Sequence, residues 1–234
     1  MLIGQDFDKI EWDVLGLHLL EPNAFFGDML IAIVGFYFAY KTASLKKNTP
    51  FFSFWKLAFI SFGFTFITGG FGHLFFHYWG VPGKYLGWYV GIFTPYFIEQ
   101  ATLSLIQHTK QKKFLILLSK IKFIIAVIGT SLMILFMDLE SDPTRGMSIV
   151  TPHIIIGLVF CLGYLGYIYS KRIHRSFTYM WISVITILPS AIFQSQKINF
   201  FQWFDRNDVS HLLIIIGMFF YFACIKAYSK VVID

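Results

Sequence analysis

Seven runs of about twenty apolar residues, each closed by a short polar loop, leave this chain few folds to choose from. A helix rises about 1.5 Å per residue, so roughly 20 apolar residues cross the ~30 Å hydrocarbon layer of a membrane. The runs lie near 24–42, 52–77, 85–107, 114–137, 148–170, 176–195 and 208–228, broken by KTASLKKNTP, WGVPGK, KQKK, DLESDPTRG, KRIHRS and INFFQWFDRND. The expected fold is therefore all-α: one domain over 1–234, a seven-helix transmembrane bundle. Composition agrees, since only 14% of residues are charged, against about 25% in a soluble domain. Residues 1–22 are too short and too acidic to span. Ile10, Trp12, Leu15, Leu17, Leu19 and Leu20 alternate with Asp6, Asp8, Glu11 and Asp13, which predicts an interfacial segment, a short helix lying on the membrane, ended at Glu21-Pro22-Asn23. It lacks the basic region and apolar core of a cleavable signal.

The loops set an orientation. Fourteen of the nineteen Lys and Arg fall on one side, in groups such as Lys46-Lys47, Lys110–Lys113 and Lys171–Arg175. Under the positive-inside rule that side is cytoplasmic, giving N-out and C-in. Lys120 and Lys122 read as snorkelling stems at the inner start of the fourth span. The net charge of +6 sits in loops and forms no stripe or arm, which excludes nucleic acid as a partner. Cys161 and Cys224 lie inside apolar runs and read as small buried hydrophobes. The setting expected is a multi-pass protein of a bacterial inner membrane, with lipids as its partners.

Ionisable groups inside spans are expensive and mark function by default. Here they are Asp28, His73, His77, Glu99, His153, Asp208 and His211, with Ser210 and Gln194 near them. Depth along each helix brings most of them to the outer leaflet, and only Glu99 lies deeper, roughly 20 Å from the outer end of its span. His73 and His77 are four apart and share a face of a continuous helix. With His211 they form a candidate zinc set. Asp28 or Asp208 would orient a ligand or act as general base, and Ser210 would assist an oxyanion. Asp208 is also an N-cap candidate for the last span. Glu99, His153 and Gln194 make a second candidate set, a ligand or proton site. The run Gly69-Gly70-Phe71-Gly72 would admit a neighbouring helix or a ligand close to the backbone.

Gly69–His73 and Ser210-His211 resemble, remotely, the CREST membrane hydrolases, the superfamily of alkaline ceramidases and progestin/adiponectin-type receptors. The resemblance implies a seven-helix fold with zinc on His73 and His211. The chain departs from that pattern at Ile215, where a second last-span histidine is usual, and at Gly69, where a serine is usual. Glu21-Pro22-Asn23, Asp28 and the Gly-Gly-x-x-His run also resemble uncharacterised bacterial seven-helix proteins, which implies no activity. Three functions are thus expected in turn. The first is a zinc-dependent hydrolase of a lipid or amphiphile. The second is a ligand-binding or transport protein with an outer vestibule and Glu99 as proton or cation site. The third is a haem protein using two facing histidines.

Overall fold

The computed structural model describes residues 7–232. Two short strands, β1 (Glu11–Val14) and β2 (Leu17–Leu20), pair antiparallel with Glu11 opposite Leu20. The interfacial helix expected here is therefore a hairpin over residues 11–20; Met1–Asp6 lie outside the described residues. Trp12, Val14, Leu17 and Leu19 supply period-two alternation, and Leu15-Gly16 makes a two-residue turn with both φ angles positive, the geometry that suits tight hairpins. Trp12 packs against Phe26 and Trp203, with ring centroids 5.9 and 5.7 Å away.

The long helices follow: α1 (Pro22–Ser44), α2 (Pro50–Leu74), a single turn α3 (Phe76–Trp79), α4 (Pro82–Leu103) and α5 (Thr109–Phe136). Prolines open α1, α2 and α4, where a missing N–H costs nothing. The next long helix is composite. After a 3-10 turn at Pro143–Met147, α6 (Val150–Leu158) passes into a π-helical segment (Val159–Leu165) and then α7 (Gly166–Arg172). Helices α8 (Thr178–Ser195) and α9 (Arg206–Tyr228) complete the chain. Six of these stretches are long and apolar enough to cross a membrane, so the chain is an all-α, multi-pass membrane-type bundle. The run at 82–103 is not among the six, although at about 1.5 Å per residue its length suffices. It carries Lys84, Glu99 and Pro95, and it lies between α2, α5 and α6 with Trp88, Ile92, Ile98 and Glu99 buried. A helix enclosed by other helices need not be lipophilic all round.

Small residues bring the backbones together, as the glycine run suggested. A Cβ on Gly72 would lie 2.7 Å from the Gly83 carbonyl, and one on Gly70 would lie 3.0 Å from Asp28 Cβ. These two positions lock α2 against α4 and α1. One end of the bundle carries the hairpin, Trp88 and Val81. The other is packed with aromatic rings: Phe51, Phe52, Trp55, Phe177, Tyr221 and Tyr228.

Candidate functional site

Polar side chains gather in two places. The first is the hairpin end. Lys9, just before β1, reaches two carboxylates at once, Glu21 at 2.8 Å and Asp205 at 2.7 Å. Glu21 sits at the start of α1 with φ 51°, and its other oxygen accepts from His73 Nδ1 at 2.6 Å. Burial opposes charge on Glu21, but His73 and Lys9 outweigh it and hold its carboxyl well below the usual carboxylate range. Burial likewise opposes charge on Lys9, but the Glu21 and Asp205 carboxylates raise its ammonium above the ordinary lysine value. Asp205 is the N-cap of α9, accepting from the backbone of Asn207 and Asp208, while the Asp208 carboxylate accepts from the Asp205 N–H. That is a reciprocal capping box, and Asn23 of α1 donates to Asp208 at 2.8 Å.

The proposed zinc ligands are not gathered here. Helix α2 ends at Leu74, because Phe75 leaves helical geometry (φ −99°, ψ 22°). His77 therefore stands on the separate turn α3, and the shared His73/His77 face expected from their spacing is broken. His77 Nε2 lies 3.6 Å from the Glu11 carboxylate. His211 Nε2 donates to Asp28 at 3.0 Å, and its ring fills the space left by the missing side chain of Gly27. His73 faces Glu21. Among the described residues no group of three His, Cys, Asp or Glu side chains is placed to hold a metal ion. Ser210 donates to the Arg206 carbonyl at 2.8 Å, and Gln194 donates to Ser210 and Asn207 at 3.1 and 3.0 Å. Its hydroxyl proton is thus committed within α9.

The second cluster is deeper and includes a residue the sequence reading assigned elsewhere. Lys122 does not snorkel to the end of α5. Its ammonium lies 2.5 Å from Glu99 Oε1, 3.1 Å from His153 Nδ1 and 2.8 Å from the His153 carbonyl. The ammonium thus makes two hydrogen bonds to His153 and an ion pair with Glu99. Since α5 starts at Thr109 and ends at Phe136, Lys122 stands about 20 Å from either end. A stem cannot reach water across that distance, so the charge is met locally. On the far side of Glu99, Ser119 donates to Oε2 at 2.5 Å and Gln100 donates to Ser119 at 2.9 Å. His153 Nε2 lies 3.0 Å from the Ile92 carbonyl, an acceptor only. This fixes the proton on Nε2 and leaves the Nδ1 lone pair for Lys122. Glu99 and His153 are 3% and 4% exposed. Gly157 makes the space: a Cβ there would collide with Glu99 Oε1 and come within 3.3 Å of Lys122 Nζ.

Lys122 had a signal in the sequence. Ser119, Lys122, Ala126, Thr130 and Met133 follow helical spacing, and four of them form the buried stripe of α5. Lys9, Glu21 and Asp205 had none beyond their charge.

Residues 24–230 match a family of unknown function, DUF6962, and the chain belongs to that family. No curated protein and no solved structure matches it. The match to DUF6962 carries no link to the CREST hydrolases.

Proposed function

We propose that this chain is a proton-linked membrane transport protein of seven spans, N-terminus outside and C-terminus in the cytoplasm, whose proton site is the Glu99–Lys122 pair. The observation that carries the reading is the ion pair itself. A carboxylate and an ammonium 2.5 Å apart stand at half depth of a membrane bundle, joined to a neutral imidazole. Ionisable groups at that depth are rare and mark proton and solute paths. The hairpin end is the outer face in this reading, and α4 is the seventh span. The Lys/Arg bias supports the orientation even after Lys122 is taken out of the count.

The chemistry is a competition for one ammonium. With Glu99 ionised, Lys122 is held by that charge and by two hydrogen bonds to His153, and a solute has no claim on it. A proton on Glu99 removes the charge that holds Lys122, and the ammonium becomes available to a solute with an anionic or carbonyl group. Loss of the proton restores the pair and expels the solute. His153 keeps Lys122 centred from the other side. The zinc-hydrolase expectation draws no comparable support, because among the described residues no three His, Cys, Asp or Glu side chains are placed to hold a metal ion.

The test is electrical. Proteoliposomes on a solid support are screened with a panel of amino acids, organic acids and nucleosides under an inward proton gradient. The expected result is a solute-evoked current in wild type that is absent in Glu99→Gln. A solute current of wild-type size in Glu99→Gln would sink the proposal. The double variant Glu99→Gln/Lys122→Met removes both charges, keeps the fold, and is expected to stay silent.

A further inference from the structure

At the end of the bundle opposite the hairpin, a recess of about 560 Å³ opens between the α7–α8 turn and the last turn of α9. Arg175, Lys230, His174, Thr178 and Tyr179 line it, and among the described residues no Asp or Glu does. His174 Nδ1 accepts from the Ser176 backbone N–H at 3.3 Å, which puts the ring proton on Nε2 and makes that nitrogen a donor. Arg175 and Lys230 form no ion pair among the described residues. The recess is thus lined by two cations, an imidazole N–H and the hydroxyls of Ser176, Thr178 and Tyr179. Above it Tyr179 stacks on Phe220 at 6.1 Å, bridging α8 and α9 with an apolar surface. A smaller recess of about 130 Å³ at Lys46 and Lys56 is also basic, but there Lys47 is already bound to the Val232 carbonyl at 2.7 Å.

We propose that the larger recess is a binding site for a phosphate-bearing anion. A guanidinium presents paired donors that match phosphate oxygens, and an ammonium adds a point charge. Basic pockets between helices at a membrane surface suit phosphate headgroups. The same donors accept a phospholipid headgroup, with its chains along Tyr179 and Phe220, or free phosphate. This site is independent of the Glu99 reading, since the two share no residue.

The experiment uses the full chain in a neutral maltoside detergent, with phosphatidylglycerol or phosphatidylcholine titrated in and adducts counted by native mass spectrometry. Wild type is compared with Arg175→Gln/Lys230→Gln and with a control of equal charge, Lys110→Gln/Lys113→Gln. The expected result is a phosphatidylglycerol adduct about tenfold weaker in the recess variant and unchanged in the control. Arg175→Lys, which keeps the charge, should retain most of it. Millimolar inorganic phosphate then separates the sources. If it displaces the lipid and raises the melting midpoint of wild type alone, the site reads phosphate as such; if it does neither, the site requires the lipid. Equal phosphatidylglycerol binding in wild type and the recess variant, or equal loss in the control, without a phosphate effect, overturns the proposal. Both altered residues are exposed, so an unchanged melting midpoint without lipid verifies the fold.

Discussion

The two polar clusters are built from the same residue types and differ in what surrounds them. At the hairpin end Glu21, His73 and Asp205 sit where helices start or stop, Lys9 ties Glu21 to Asp205, and Asp205 also caps α9. Lys9, Glu21 and Asp205 are buried all the same, and one ammonium serves both carboxylates. Glu99, Lys122 and His153 instead stand in mid-helix, where one ammonium is shared between a carboxylate and the two acceptors of His153. The first arrangement ties chain segments together; the second is the pair that the proposed function makes its proton site. On that proposal the same kind of ion pair is a fastener in one place and a working part in the other.

The comparison breaks most visibly at Glu99. Glu99→Gln leaves Lys122 charged and unpaired at depth, which should cost about 3–5 kcal/mol. Pairing it with Lys122→Met should recover most of that loss, as read by urea or thermal unfolding in detergent, while transport stays absent. If the double variant regained transport, the deep pair would be only a fastener. Lys9→Met comes next, at about 2 kcal/mol, because it strips one partner from two buried carboxylates. Its effect should appear as faster hydrogen exchange of the β1–β2 amides with the deep cluster undisturbed.

Acid sharpens the contrast. The Glu21 carboxyl is held below its ordinary value, so its contribution is complete above the unfolded carboxyl pKa of about 4.3. It drains away as pH falls from there toward the folded value. Lys9 is raised, so its contribution is complete below the unfolded lysine pKa of about 10.4 and is lost as pH rises through the folded value. Hairpin protection, corrected for intrinsic exchange, should thus be level through neutral pH and decline below about pH 4. The smallest effect is expected at Asp208→Ala, about 1 kcal/mol, from loss of half the α9 capping box. Loss of solute current in that variant would move function to the hairpin end.

The bundle was largely legible. Apolar runs located every long helix to within a turn or so, because a twenty-residue run has few alternatives in a membrane. Two boundaries mattered more than their size. Ending α2 at Leu74 instead of 77 separated His73 from His77, and no composition signal at Phe75 foretold it. Starting α5 at Thr109 instead of 114 moved Lys122 from an end to the centre. The hairpin was hidden by the even mixture of apolar and acidic residues over 10–20, which satisfies both periods poorly. Glu99 and His153 were placed in one candidate set and do meet, whereas His73, His77 and His211 were placed together and each faces a separate carboxylate. Depth along a helix says which residues share a level, and only packing says which of them meet. Glu99 and His153 were read at different depths and are joined by one lysine.

The π-helical segment at Val159–Leu165 lies directly below Gly157 and His153. A π turn is an α-helix with one surplus residue, so the chain on either side is out of phase by about 100° relative to an uninterrupted helix. That phase offset is what lets α7 present Tyr169 to the Thr102 carbonyl, at 3.1 Å, while α6 presents His153 to Lys122. Removing one residue from 159–165 should heal the helix into plain α geometry and leave it just as long-lived. The two ends could then no longer both face α4, and the chain would be left to choose between its imidazole and its phenol.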